Sequence, residues 1–367
     1  MFVRGFGFAP VAEGDRIRLR GTADERFGQT VIQSLTDLEV CGEGTLPEPA
    51  LVTLPQAFPG ELERFEGMLV AFDQPLFVSD NFNLARFGEA VLAQGGPLDN
   101  PTNVVAPGPD ALALQAANDL RRVILDDGSS TQNPAVVPYL GPEGTLRTGD
   151  RVTGLTGILT FDFGEYRFHP VLPPVVDYVP RPVAPPAVGG LVQVGSFNVL
   201  NYFTTLDDGP TAGTCGPDGA SGCRGADSAT ELGRQRAKLV DAIVALDADI
   251  LGLIELENGA GDAPLADLVS GLNAALGADM YDYVATGDIG SDAIRVGLVY
   301  QPAKVAPIGD FAVLDDSFDP AYRADRNRPA LAQTFAEAVG GSRFTVVVNH
   351  LKSKGSDCND LGDPDLG

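Results

Sequence analysis

Residues 174–190, PVVDYVPRPVAPPAVGG, divide the chain. Proline fixes φ and lacks a backbone donor, so a stretch this rich in it, ending in Gly-Gly, extends neither a central strand nor a helix. The pattern predicts a semi-rigid linker, and the hydrophobic rhythm changes across it. Before it come short alternating runs broken by Gly, Pro, Asp and Asn, the mark of a β region. After it, apolar strands alternate with amphipathic helices, the mark of an α/β region. The expected organisation is a β region over 1–173, a linker over 174–190 and an α/β region over 191–367.

The β region contains an echo. Residues 14–28 read GDRIRLRGTADERFG and residues 149–164 read GDRVTGLTGILTFDFG. Both carry Gly-Asp-Arg, a short strand, a glycine and then Phe-Gly, which predicts two related β units. Gly-Asp turns and short strands suit small, strongly curved barrels. The helix candidate here is PDALALQAANDLRR, 109–122. His169, in YRFHP, reads as a strand-end histidine without chemistry. Phe161, Phe163, Tyr166 and Arg167 alternate in the way a single-strand nucleic-acid face would need, although packed aromatics on a strand explain them as simply.

In the α/β region, LVQVGSFNVL (191–200), DILGLIELE (249–257), YDYVA, AIRVGLVY, LAQTFAE and FTVVVNHL read as strands. ELGRQRAKLVDAIVAL (231–246) and PLADLVSGLNAALG (264–277) read as helices with one apolar stripe each. Such units predict one central sheet covered on both faces, with polar groups at its strand ends forming a site.

Charge narrows the chemistry. With 50 acidic and 25 basic residues, the formal net charge is −25. That field repels polyanions and attracts divalent cations, so nucleic-acid binding by a broad basic face is disfavoured. A phosphate substrate would need a metal or a few local cations. No run of 18 apolar residues is present, and neither a membrane nor a protein partner is expected. Among the four cysteines, Cys215 and Cys223 flank a glycine-rich loop, CGPDGASGC. A short-loop disulfide in an exported protein explains them better than zinc, since no nearby His or CxxC completes a tetrahedral set. Cys358 would pair beyond the end of the chain, and Cys41 has no evident partner. The first residues show no signal-peptide pattern, and both ends look cut.

Several strand ends carry groups that a core strand does not need. Asn198 lies in SFNVLN, Glu255 in LIELEN with Glu257 as the alternative, and His350 in VVNHLKSK. Amide and carboxylate oxygens are hard ligands suited to Mg²⁺, with Mn²⁺ and Ca²⁺ as alternatives. Histidine donates to phosphate or moves a proton. Lys352 and Lys354 supply local positive charge. Asn198, Glu255 and His350 are therefore expected at one rim of a single sheet.

SFNVLN, DILGLIELEN, YQPAKV, RNRPALAQTF and VVNHLKSKGSDC, in this order, resemble the first half of the endonuclease/exonuclease/phosphatase (deoxyribonuclease I-like) superfamily. VLNYFTTLDDG, CRGADSATELGRQRAKLVDAI and NHLKSKGSDC are similar to the ExeM/NucH-like extracellular nucleases of bacteria in particular. The resemblance covers residues 190–367, and more weakly 1–180 through VAPG and ANDLRRVILDDGSSTQNP. It implies an OB-like β-barrel region followed by an incomplete four-layer α/β sandwich. It implies a secreted, divalent-metal-dependent endonuclease with a nucleic acid substrate, DNA before RNA. Asn198 and Glu255 would hold the metal, His350 the scissile phosphate, Asp292 would orient His350, and Arg328 would contact phosphate. The superfamily's Gly-Asp-x-Asn strand end and its Asp-His pair do not occur in these 367 residues, which reads as a fragment inactive alone. The alternatives are a phosphoesterase for lipid or sugar phosphates, and a non-catalytic nucleic-acid or glycan-binding module.

Overall fold

The structure is a computed structural model that describes residues 2–353 apart from 6 and 9. Lys354 and Cys358 lie outside the described residues. The chain divides into two compact units, one up to Arg181 and one from Pro182 onward.

The first unit contains β1 (Phe2–Val3), β2 (Asp15–Arg26), β3 (Gln29–Glu43), β4 (Ala50–Leu51), β5 (Leu69–Phe72), β6 (Leu76–Asp80), α1 (Leu84–Phe87), β7 (Ala90–Gln94), α2 (Pro109–Asp119), β8 (Arg122–Leu125), β9 (Arg151–Thr153), β10 (Leu155–Asp162), β11 (Glu165–Pro170) and β12 (Val175–Asp177). β1, β3 and β2 form a three-stranded ribbon, and the rest form a nine-stranded mixed sheet ordered β12-β9-β6-β7-β8-β11-β10-β5-β4. The sheet encloses an apolar cluster including Val70, Leu76, Leu92, Leu125, Leu159 and Phe168. The two Gly-Asp-Arg copies fall in different settings: one opens β2 of the exposed ribbon, the other opens β9 of the large sheet. The helix over 109–122 stops at Asp119, because Arg122-Val-Ile-Leu is a buried β run. The Pro-rich stretch is not linker from its first residue. Its proline-free triplet Val175–Asp177 keeps all its backbone donors and pairs antiparallel with β9 as an edge strand.

The second unit contains β13 (Val194–Tyr202), α3 (Ala229–Leu246), β14 (Ile250–Glu257), α4 (Ala263–Leu276), β15 (Asp282–Tyr283), β16 (Ile294–Tyr300), β17 (Val305–Pro307), β18 (Ala312–Leu314), β19 (Arg328–Glu337) and β20 (Arg343–His350). α3 starts where Ser228 Oγ accepts from Glu231 N and Glu231 Oε2 accepts from Asp227 N, a reciprocal cap. α4 ends at Gly277, whose φ of 67° lets the chain leave the helix in the left-handed region.

The strands do not form one sheet. β13-β14-β16-β15 is one sheet, and β17-β19-β18 with β20 beside β19 is a second, wholly antiparallel one. Leu239, Ile243, Leu265, Leu268 and Leu272 of the two helices pack against one face of the first sheet. Ile250, Val296, Leu298, Leu331, Phe335 and Val348 fill the space between the sheets. The unit is a mixed α/β stack of helix, sheet and sheet; no fourth layer occurs among the described residues. The expectation of one central sheet is thereby corrected. The run FTVVVNH in β20 looks uniformly apolar, yet its burial alternates, with Val347 half exposed and Val348 buried. An antiparallel β19–β20 hairpin needs no crossover helix, so it can leave the first sheet and pack on it.

Candidate active site at the bulged strand ends

Three strand pairs lose register where they carry polar residues. The β13–β14 register shifts between Asn198 and Tyr202, the β14–β16 register between Ile254 and Leu256, and the β19–β20 register between Arg328 and Leu331. A bulge takes a residue out of the ladder and re-aims its side chain. Leu200, Asn201 and Glu255 accordingly have φ of 53°, 53° and 69°. For a residue with a Cβ this conformation costs about 1–2 kcal/mol. Gln235 on α3 offsets part of that cost, its amide donating to the carbonyls of Val199 at 3.0 Å and Leu200 at 2.8 Å.

The bulges bring distant residues together. Asn198 Nδ2 donates to Glu255 Oε1 at 2.8 Å, and Asn198 Oδ1 accepts from Leu200 N at 2.7 Å. The same Glu255 oxygen lies 3.8 Å from His350 Nε2. His350 and Arg328 are register partners on β20 and β19. Arg328 Nε lies 3.0 Å from Asp292 Oδ2, and Arg224 Nη2 lies 3.2 Å from Asp292 Oδ1. The Arg328 contact is one of charge and proximity, since Nε makes no aligned hydrogen bond. Asn198, Glu255, His350, Arg328 and Asp292 thus form one array. It spans two sheets rather than one rim, because Asn198 and Glu255 belong to the first sheet and His350 and Arg328 to the second.

Asp292 differs from its expected role. Its carboxylate is held between two guanidinium groups, and no hydrogen bond to His350 occurs among the described residues. It acts on His350 only through its field. Burial lowers the His350 pKa below the ordinary 6.5, Arg328 lowers it further, and Glu255 and Asp292 oppose them without prevailing. The imidazole is therefore mainly neutral at pH 7. Its Nδ1 is buried without a hydrogen-bond partner among the described residues, an arrangement that costs stability. Lys352 donates from Nζ to Ser353 O and from its backbone to Asn327 Oδ1, each at 2.8 Å.

Glu257, two residues from Glu255, does something else. It is 2% exposed and accepts from Thr204 N at 2.7 Å, Thr204 Oγ1 at 2.8 Å and Thr205 N at 3.1 Å. It anchors the loop after β13 instead of facing Asn198. The Cys215–Cys223 disulfide closes the next loop, and Arg224 follows it directly.

Sequence reasoning missed three residues. Arg224 gave no signal beyond its place after a cysteine. Asn258 is fully buried; it donates to Ile289 O at 2.9 Å and Asp292 O at 2.8 Å, and accepts from Ile289 N at 3.0 Å. It fixes the loop that presents Asp292. Arg295 has a fully buried side chain that donates to Gly261 O at 2.8 Å and Thr286 Oγ1 at 3.0 Å, and it pairs with Asp262 at 3.2 Å. A polar residue directly after an apolar strand was the available clue to Asn258, and an arginine inside an apolar run the clue to Arg295.

A cavity of about 750 Å³ opens on the arginine side of the array, lined by Arg224, Asp292, Arg326, Asn327 and Arg328 among others. No cluster of three or more His, Cys, Asp or Glu side chains suited to a metal occurs among the described residues. Mg²⁺, however, is commonly held by one or two protein oxygens plus water and substrate phosphate. Glu255 Oε2 accepts no hydrogen bond among the described residues, and Asn198 Oδ1 keeps a second lone pair. These donors suit such an ion in kind, with the Asn198 amide turning its nitrogen toward Glu255 and its oxygen toward Leu200 N. No described helix is long and apolar enough to cross a membrane.

No family model matches the chain, and no curated protein matches it. Partial matches to solved structures exist. An endonuclease/exonuclease/phosphatase family protein from Bacteroides thetaiotaomicron is 20% identical over 34% of this chain and 44% of that one, with a TM-score of 0.25. ANGEL2, a 2′,3′-cyclic phosphatase, is 15% identical over 32% of each chain, with a TM-score of 0.24. The human Nocturnin catalytic domain is 18% identical over 33% of this chain and 44% of that one, with a TM-score of 0.22. The chain thus spans less than half of each of these structures.

Proposed function

We propose that the unit from Pro182 onward is the metal-side part of a divalent-metal-dependent phosphodiester hydrolase, an extracellular endonuclease acting on DNA in preference to RNA. The observation that carries this reading is the convergence of Asn198, Glu255 and His350 within contact distance, beside Arg328 and Asp292. Residues 1–173 would be an OB-like accessory region joined to it.

Asn198 and Glu255 would hold the ion, Mg²⁺ first among candidates. When bound, such an ion polarises a phosphate oxygen and steadies an oxyanion. The protein's own groups do the rest. The Asn198 amide fixes the Glu255 carboxylate. Arg328 brings positive charge toward a phosphate while Asp292 holds its guanidinium in place. His350, mainly neutral at pH 7, donates a hydrogen bond to a non-bridging oxygen and stabilises charge that develops there. The chain's −25 field requires that this positive charge be local.

Two measurements test this. Glu255→Gln abolishes any Mg²⁺-dependent nicking of supercoiled plasmid. In this chain alone, a phosphorothioate oligonucleotide binds only with Mg²⁺, and His350→Ala weakens that binding. Undiminished nicking by Glu255→Gln refutes the site. Turnover of sphingomyelin or an inositol phosphate, without plasmid nicking, refutes the substrate.

A further inference from the structure

The first unit contains a second polar cavity, of about 690 Å³, with charged residues in its lining. Arg167 lies at its base with its side chain 8% exposed, between Glu89 and Asp126 at 14% and 11%. Its Nη1 donates to Glu89 Oε1 at 2.5 Å and Asp126 Oδ2 at 2.7 Å, and its Nε donates to Asp162 O at 3.2 Å. Its Nη2 makes no hydrogen bond among the described residues. His169 also lines the cavity; its Nε2 is 3.5 Å from Thr160 Oγ1 and 3.6 Å from Asp126 Oδ1, too long for strong bonds. A buried ion triad adds little stability over apolar packing of the same volume. Keeping one under an open cavity, with donor capacity unused, marks a binding site.

The turn above the cavity points the same way. β10 and β11 are joined by Phe163-Gly164, with φ of 52° and 81°. Such two-residue turns favour Asn or Gly at the first position. A phenylalanine there is strained, and it is also 84% exposed. Its ring lies 5.4 Å from the Arg167 guanidinium carbon and forms one wall, with Phe87 in another. Phe27 at the other Phe-Gly turn is equally exposed and packs on Arg26 as Phe163 packs on Arg167, but of the two only Phe163 lines this cavity.

The lining also selects the ligand's charge. Two carboxylates, Glu89 and Asp126, hold one guanidinium and Asp162 adds a third acidic residue to the lining, so a phosphate backbone is repelled. Arg167 at the base, in contact with both Glu89 and Asp126, occupies the place a cation would take. Aromatic walls beside mixed donors and acceptors suit a neutral ring with one C–H face and many hydroxyls. We propose that this cavity binds a saccharide unit of a neutral glycan. Phe163 stacks on its C–H face, while Arg167 Nη2, His169 and Gln132 bond its hydroxyls. No residue of the α/β unit enters the proposal, so it stands or falls apart from the hydrolase reading.

The test is titration calorimetry of the whole chain with neutral gluco-, galacto-, manno- and N-acetylglucosamine oligosaccharides, and separately with an oligothymidylate. At least one sugar series binds. Phe163→Asn, which suits the left-handed turn, keeps or raises the thermal midpoint yet weakens that binding about tenfold, the loss of one aromatic contact. His169→Ala weakens it as well. Failure of every sugar to bind overturns the proposal. So does sugar binding unchanged in Phe163→Asn, or oligothymidylate binding that Phe163→Asn removes.

Discussion

Glu255 sits at φ 69° within a strand, and replacing it by Gly and by Ala separates backbone strain from side-chain chemistry. Both replacements remove the carboxylate and its 2.8 Å hydrogen bond from Asn198; only Gly also relieves the left-handed conformation. In an ordinary strand Gly is about 0.5–1 kcal/mol less stable than Ala, through chain entropy. Left-handed backbone with a Cβ costs about 1–2 kcal/mol. The balance makes Glu255→Gly more stable than Glu255→Ala by about 0.5–1 kcal/mol. At a urea slope of about 2 kcal/mol/M, this separates their midpoints by about 0.3–0.5 M. Hydrogen exchange of β13–β16 peptides, followed by mass spectrometry across a urea series, reads the unit directly. Ser196, on the same sheet at an ordinary strand position, is the control, where Gly falls below Ala. Equal stability at 255, or the control's order there, would show that the bulge is not strained and that Glu255 is not held by it.

Three further outcomes follow from the contacts. Asn258→Ala leaves the backbone of Ile289 and Asp292 without its amide partners; we expect a loss of about 2–4 kcal/mol in urea unfolding and increased hydrogen exchange across 288–293. Reducing the Cys215–Cys223 disulfide, whose cysteines are eight apart in sequence, removes about 2–3 kcal/mol in urea unfolding by its chain-entropy contribution. The Tyr139 and Tyr202 phenols are pushed far above the ordinary 10.0, mainly by burial and then, for Tyr202, by its hydrogen bond to Asp267. The unfolded chain ionises near pH 10 while the native one does not, so their contribution is complete below pH 10 and declines as pH rises above it; Tyr202→Phe makes alkaline unfolding less steep.

How much of this was legible depended on the range of the signal. The helices over 229–246 and 263–276 were visible because their apolar stripes repeat every turn and their caps are local residues, Ser228 and Gly277. The split into two sheets was not, because choosing between one sheet and two depends on which faces meet. β20 hides a half-exposed alternation under a run of valines that reads as fully buried. The edge strand over 175–177 was lost inside a proline-rich stretch whose composition outweighed three residues.

At the site, residue types were readable and roles were not. Asn198, Glu255 and His350 stood out because each places a polar group at the end of an apolar strand, where burial without a partner is costly. Asp292 came only through the resemblance, and its partners lie far from it in sequence, Arg224 beyond the disulfide and Arg328 at the start of β19; no spacing rule connects them. The bulges are equally invisible, since a period-two pattern assumes an unbroken ladder. Some of the residues that break local backbone rules lie at these sites. Of the non-glycine residues with positive φ, Leu200, Asn201 and Glu255 surround the array in the α/β unit and Phe163 overhangs the cavity in the β unit, whereas Phe27, Ser34, Asn133 and Asp247 line neither. A sequence under selection for stability alone would place Gly or Asn at such positions. Leu200, Glu255 and Phe163 depart from that preference at positions where a bulge or a tight turn sets the direction of the side chain.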